Sequence, residues 1–289
     1  MKIGFAGLGV MGGPMARHLV EAGHDVAGFN RSPDKARTWA EATGARFAAT
    51  VEDAATGAEL FILCVGNDDD VREVVAAALP GLAKGAVIID HTTTSARVAR
   101  EMAELGAGQG VGFIDAPVSG GQAGAENGQL SVMAGGDAAA LARAEPALMS
   151  YAKAVKHMGP SGSGQLTKMV NQIAIAGVVQ GLAEAVHFAQ TAGLDTDAVY
   201  DAVSKGAAQS WQMDNRWKTA AAGQFEFGFA VDWMRKDLGL VLDAARANGA
   251  HLALTALVDQ FYSEIQAMGG SRWDTSSLAA RLQARPTRS

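Results

Sequence analysis

The sequence predicts an α/β protein: an N-terminal domain with a mostly parallel sheet, then an all-α C-terminal domain entered through a long interdomain helix. Three observations carry this expectation. Short β-type runs alternate with helical segments from Met1 to about residue 160, as parallel βαβ units with buried strands require. A glycine-rich turn follows the first run and opens a helix. Beyond Gly164 nothing reads as a convincing strand, and helical periods continue to the end.

The β-type runs are Lys2–Ala6, Asp25–Phe29, Leu60–Val65, Ala86–Asp90, Gly112–Asp115 and Leu130–Ala134. The first helix is expected over Gly13–Ala22. Tyr151–Gly164, with its run Gly159-Pro160-Ser161-Gly162-Ser163-Gly164, has the turn chemistry of a boundary, so the break is expected near residue 162, giving domains 1–162 and 163–289. Lys168–Gln190 then reads as one helix. Between Ile173 and Ala185 its only polar members are Gln180 and Glu184, which predicts burial nearly all round. Arg285-Pro286-Thr287-Arg288-Ser289 has no apolar anchor and is expected to fray.

Composition narrows the function classes. With 48% apolar and 19% charged residues in 289, the chain is globular and large enough for two ordinary domains. A net charge of -6 offers no basic surface to nucleic acid or to an anionic membrane. The single Cys64 excludes an internal disulfide and a cysteine-based zinc cluster, and the six histidines are scattered without metal-ligand spacing. The apolar run begins at Ile3, which leaves no room for a signal peptide. The longest nearly apolar stretch, Ile173 to Ala183, is read as too short to span a bilayer. A soluble, cytoplasmic protein is the expectation. Cys64, inside Leu60–Val65, is expected to be a buried strand residue, and Trp211, Trp217 and Trp233 helix-packing residues.

Gly7-Leu8-Gly9-Val10-Met11-Gly12 places the pattern GxGxxG directly between strand and helix, the context that makes it a Rossmann dinucleotide-binding turn. Gly7 permits the tight turn, Gly9 removes a side chain where pyrophosphate approaches, and Gly12 lets helix and strand pack closely. At the end of the second strand, Asn30-Arg31-Ser32 stands where an NAD-selective site presents a carboxylate. Arg31 can pair with a 2′-phosphate, and Asn30 and Ser32 can donate to it, so the charge logic favours NADP over NAD. A solvated Arg31 before Ser32-Pro33 is the plain alternative.

Phe5-Ala6-Gly7-Leu8-Gly9-Val10-Met11-Gly12-Gly13-Pro14-Met15-Ala16 resembles the N-terminal signature of the β-hydroxyacid dehydrogenases. The resemblance runs along essentially the whole chain. Its later blocks are Asp115-Ala116-Pro117-Val118-Ser119-Gly120-Gly121, Gly164-Gln165-Leu166-Thr167-Lys168-Met169-Val170-Asn171 and Lys236-Asp237-Leu238. It implies a Rossmann domain joined to a helical domain that carries the contacts of a homodimer or homotetramer. It implies a carboxylate-binding role for Ser119, Gly120 and Gly121, and catalysis by Lys168 with Asn171 and Gln172 beside the substrate. Phe229 and Asp237 are placed by the resemblance at the substrate pocket, and Val65, Gly66, Thr93 and Lys236 beside the cofactor. Thr92-Thr93 replaces the family's usual Ser-Thr, and Gln172 stands where many members have Asn; Lys-x-x-Asn-Gln is more like the tartronate semialdehyde reductase branch. An ordinary Ser-Gly-Gly loop and a helix-surface Lys236-Asp237 pair are the competing structural readings.

The residues make chemical sense by themselves. Hydride transfer to an aldehyde leaves charge on the carbonyl oxygen, which needs a proton donor or a fixed cation. Lys168 lies in the first turn of an apolar helix flanked by Leu166, Met169 and Val170, a setting expected to lower its pKa. Asn171, three residues on, shares its face and can hold the ammonium or a substrate hydroxyl. The expected function is an NADP(H)-dependent oxidoreductase, with NAD as the weaker cofactor. It interconverts a small semialdehyde carboxylic acid and its hydroxy acid, of the 3-hydroxyisobutyrate or tartronate/succinic semialdehyde class. An NADPH-dependent imine reductase and a noncatalytic NADP-sensing module are the alternatives.

Overall fold

The computed structural model describes residues 1–283, so the expected fraying of Arg285–Ser289 lies outside the described residues. Contact density divides the chain into two compact units between Lys168 and Met169.

In the first unit, continuous apolar runs become strands covered on both faces. The order is β1 (Lys2–Ala6), α1 (Gly12–Glu21), β2 (Asp25–Phe29), α2 (Pro33–Thr43), β3 (Arg46–Phe47), α3 (Val51–Ala55), β4 (Leu60–Leu63) and α4 (Asp68–Ala78). Then come β5 (Val87–Asp90), α5 (Ala96–Ala107), β6 (Gly112–Asp115), β7 (Val118–Ser119), α6 (Gly121–Glu126), β8 (Leu130–Gly136), α7 (Ala138–Leu148) and β9 (Ala152–Gly159). Every residue of β4 and β5 is buried. The sheet runs β3-β2-β1-β4-β5-β6-β8-β7, with β9 on β8. Its first six strands are parallel, while β8 is antiparallel to β6 and β7. The order reverses direction between β1 and β4, and such a switch point opens a crevice at the carboxyl ends of the strands.

The strands missing from the sequence expectation are β3, β7 and β9. The first and second are two residues long and leave no periodicity to read. β9 occupies most of Tyr151–Gly164, which was expected to be a turn, and the turn itself begins at Gly159-Pro160. Its residues, including Lys153, Lys156 and His157, are largely exposed, and pairing to β8 makes it a strand where no apolar run announces one.

The second unit is helical: α8 (Ser163–Thr191), α9 (Thr196–Val203), α10 (Trp211–Ala221), α11 (Val231–Asn248), α12 (Ala253–Ala267) and α13 (Leu278–Gln283). Its core gathers Val179, Met234, Leu238, Val258, Tyr262 and Ile265 from α8, α11 and α12. The expectation that α8 is buried nearly all round is corrected. Val170, Ala174, Val178, Gly181, Ala185 and Phe188, three or four residues apart, are exposed along one stripe, Val170 at 64% and Phe188 at 70%. Pattern alone could not separate this face from the buried one because both are apolar. By length and composition the whole of Ser163–Thr191, which extends well beyond the Ile173 to Ala183 stretch, is long and apolar enough to cross a membrane, as the core helix of a soluble protein can also be. Gln172 and Gln180 are both among its buried residues.

Close packing at the start of α8 depends on glycine. A Cβ on Gly164 would lie 2.3 Å from the Met133 carbonyl oxygen and 2.5 Å from that of Asp115. Gly164→Ala is therefore expected to cost about 2 kcal/mol or more in denaturant unfolding. Gly239→Ala in α11, where a Cβ meets nothing, is expected to add about 0.5–1 kcal/mol.

Candidate functional site

The glycine turn shows what each missing side chain is for. Gly7 has φ +98, and a Cβ there would sit 2.2 Å from the Cys64 carbonyl oxygen; on Gly12 it would sit 1.9 Å from the Gly7 oxygen. A Cβ on Gly9 would meet nothing within 4 Å, so this position is an open approach to backbone. No side chain caps the N-terminus of α1 at Met11, whereas Asn67, Ser95 and Asp137 cap α4, α5 and α7. The open first turn, bounded by Leu8, Val10 and Met11, fits an anion such as a pyrophosphate. Val10 is 67% exposed beside it.

At the end of β2, Asn30 ties strand to turn: its Oδ1 accepts the Leu8 N–H at 3.0 Å and its Nδ2 donates to Ser32 O at 3.3 Å. The amide of Asn30 is thus engaged in building the turn, and Ser32 stands at the N-terminus of α2 without a side-chain cap bond. The Arg31 side chain is 91% exposed and lies 3.5 Å from Asp70. Across the switch point, the Val65 N–H donates to Thr92 Oγ1 at 3.0 Å and the Gly66 N–H to Asp70 Oδ2 at 3.0 Å. Thr93 is half-buried in the same β5–α5 loop.

Asp115, at the end of β6, is the centre of the buried polar structure. Its carboxylate accepts the Gly162 N–H at 2.7 Å and the Gln165 N–H at 2.9 Å, so β6 holds the first turn of α8. Gln165, also buried, accepts the Thr94 N–H at 3.0 Å and donates to Thr92 O at 2.7 Å. Burial pushes the Asp115 carboxyl up to about 6, against these N–H donors. One turn further along the same helix, Lys168 Nζ donates to Val118 O at 2.9 Å, immediately before Ser119. The segment between is braced by His91, whose Nδ1 lies 2.6 Å from Ala116 O and whose Nε2 lies 2.8 Å from the Tyr151 hydroxyl. Burial pushes His91 down to about 4, so near neutral pH its single ring proton serves Ala116 and the tyrosine donates to the other nitrogen. Gly120 and Gly121 follow Ser119 with φ +131 and +61, and both are exposed.

In the second unit, Asn171 Nδ2 donates to Gln172 Oε1 at 2.8 Å, and buried Gln172 Nε2 donates to Asp237 Oδ2 at 2.7 Å. A carboxylate only accepts, so Asp237 dictates the direction of the chain, in which the Asn171 amide nitrogen is the donor to Gln172. Lys236 pairs with Asp237 at 3.2 Å and lies over the Trp233 ring. Phe229 is 40% exposed, and its backbone N–H donates to Asp274, which also pairs with Arg216.

Two expectations about side chains are corrected. Trp217 alone of the three tryptophans is buried, because Trp211 and Trp233 stand on helix faces turned outward. Cys64 is half-buried and lies just past the end of β4. Sequence reasoning missed Gln165, His91, Tyr151 and Asp70. Asp115 was visible as a strand-end carboxylate next to an apolar run, but its partners lie 47 and 50 residues away.

Residues 2–159 match the model of the NAD binding domain of 6-phosphogluconate dehydrogenase, and residues 162–282 that of the NAD-binding domain of NADP-dependent 3-hydroxyisobutyrate dehydrogenase. An oxidoreductase of Shewanella frigidimarina is 59% identical over 98% of both chains. The 2-hydroxy-3-oxopropionate reductase of Escherichia coli is 33% identical over 98% of this chain and 97% of its own. The solved 3-hydroxyisobutyrate dehydrogenase of Mycobacterium tuberculosis with L-serine is similar with a TM-score of 0.89, at 33% identity over 98% of this chain and 99% of its own.

Asp115 generates a pH prediction. Its folded pKa of about 6 lies above the ordinary carboxylate value of 3.8, so the folded state binds the extra proton between the two. Stability relative to Asp115→Asn is therefore expected to fall as pH rises from about 4 to about 6 and to level off above that, with a slope up to about 1.4 kcal/mol per pH unit. Urea unfolding of both proteins across this range checks it; parallel curves would refute it.

Proposed function

The chain belongs to the β-hydroxyacid dehydrogenase family, and from that premise we propose an NADP(H)-dependent reductase that interconverts a small semialdehyde carboxylic acid and its hydroxy acid. The observation that carries the reading is the bond from Lys168 Nζ to Val118 O at 2.9 Å, which brings a proton donor to the base of the Ser119-Gly120-Gly121 turn. In this reading the Ser119 hydroxyl and the N–H groups of Gly120 and Gly121 bind the substrate carboxylate. That leaves the aldehyde carbon beside Lys168. The nicotinamide, when bound, supplies or accepts the hydride. Lys168 gives its ammonium proton to the carbonyl oxygen as charge develops there, and in the oxidative direction its amine takes the proton back. Asn171, aligned by Gln172 and Asp237, accepts a hydrogen bond from the reacting hydroxyl, and Phe229 provides an apolar pocket wall.

On the cofactor side, Gly7, Gly9 and Gly12 with Leu8, Val10 and Met11 would hold the pyrophosphate, and Val65, Gly66, Thr93 and Lys236 would contact the remainder. Arg31 would pair with the 2′-phosphate, aided by Ser32, while Asn30 fixes the turn. We assign residues 1–162 to cofactor binding and 163–289 to substrate binding and oligomerisation. A cytoplasmic setting suits a chain whose thiol at Cys64 is kept reduced there. The exposed apolar stripe of α8 supports a homodimer or homotetramer, since contiguous apolar surface on a helix is normally covered.

The function is tested by following loss of NADPH absorbance, with NADH in parallel, against glyoxylate, the tartronate, succinic and methylmalonate semialdehydes and an unsubstituted aldehyde. Turnover confined to carboxylated aldehydes supports the reading; binding without turnover would favour a sensor, and turnover with ketone-amine mixtures an imine reductase. Lys168→Ala is expected to lower kcat by about 10²- to 10⁴-fold and leave the NADPH Kd nearly unchanged. Arg31→Ala is expected to raise the Kd for NADPH more than that for NADH. In sedimentation, Val178→Lys is expected to shift an oligomer of 29.7 kDa chains toward the monomer.

A further inference from the structure

Three consecutive carboxylates open α4, and each has a different partner. Asp68 accepts from the Ser95 backbone and hydroxyl, and Asp69 pairs with Arg72 at 2.9 Å. Asp70 faces elsewhere. Its Oδ2 accepts the Gly66 N–H at 3.0 Å, and its Oδ1 faces Arg31 Nη1 at 3.5 Å. The carboxylate is 23% exposed and pinned to backbone, whereas the guanidinium is 91% exposed and held at one end. A Cβ on Gly66 would lie 2.5 Å from Asp70 Oδ2, so glycine at 66 is what lets the carboxylate approach.

We propose that Asp70 is a specificity-determining residue that competes with the cofactor's 2′-phosphate for Arg31, and so limits how strongly NADPH is favoured over NADH. This rests on the reading that Arg31 binds the 2′-phosphate. A phosphate that pairs with Arg31 must draw the guanidinium from Asp70 or share it, so part of the pairing energy is spent on the ion pair already present. The neutral 2′-hydroxyl of NADH makes no such demand. The Gly66 bond keeps Asp70 from swinging away to relieve the conflict. Asn30 is engaged by Leu8 and Ser32, so it does not replace Arg31 as a charged contact at the end of β2. Asp70 thus makes the site more permissive toward NADH than its Arg31 alone would predict.

The test measures Kd for NADPH and for NADH by quenching of tryptophan fluorescence in the full chain, for wild type, Asp70→Asn, Arg31→Ala, the double variant and Asp69→Asn. Asparagine at 70 retains an oxygen for the Gly66 N–H, and melting curves check that each variant is folded. An exposed ion pair of this kind sets the scale: Asp70→Asn is expected to tighten NADPH about two- to fivefold and to leave NADH within about twofold. The gain should shrink with added salt and vanish when Arg31 is also replaced. Asp69→Asn should change neither constant. An unchanged or weaker NADPH affinity in Asp70→Asn overturns the proposal, as does a gain that survives without Arg31 or is matched by Asp69→Asn. Arg31→Ala separates the two layers: equal weakening of both cofactors removes the underlying NADP assignment, whereas selective loss of NADPH with a silent Asp70→Asn removes this inference alone.

Discussion

The buried carboxylate of Asp115 is the interaction on which the rest of the first unit depends. It closes the end of β6 onto the Gly162 and Gln165 amides, and Gln165 continues the connection to Thr92 and Thr94 beyond β5. Thr92 in turn receives the Val65 amide from beyond β4. Three strand ends and the start of α8 are thereby held by one set of largely buried hydrogen bonds, where a lost partner would leave a buried polar group unsatisfied. The position of Lys168, one turn along, follows from that attachment.

Close backbone approach is the second requirement. Gly135 and Gly164 leave room for the carboxylate and for the helix, just as Gly7 and Gly12 leave room for α1 against β1 and the residues after β4. Some glycines therefore stand where backbones meet, whereas others, such as Gly9, leave the backbone uncovered. Hydrogen bonds within the chain complete the division of labour: Asn30 and Asn67 organise turns, while Arg31 and the first turn of α1 remain accessible.

The parallel strands were legible because doubly covered strands are continuously apolar, and the glycine turn because its glycines occur between strand and helix. The edge strand β9 was not, since its exposed lysines carry no such signature. The apolar stripe of α8 shows another limit: composition records that a residue is apolar and does not say whether the chain itself covers it. Trp211 and Trp233, read as packing residues and found exposed, fail for the same reason.

The sequence by itself determined the two-part architecture, the glycine turn, the absence of an acidic residue at Asn30-Arg31-Ser32 and the Lys168–Asn171 spacing, because all are local patterns of residue type. Only tertiary structure decided which polar groups meet. Asp115 finds Gln165 from 50 residues away, Gln172 finds Asp237 from 65, and Arg31 finds Asp70 from 39. Such pairings are set by how strands and helices are brought together, and no periodicity within either segment encodes them.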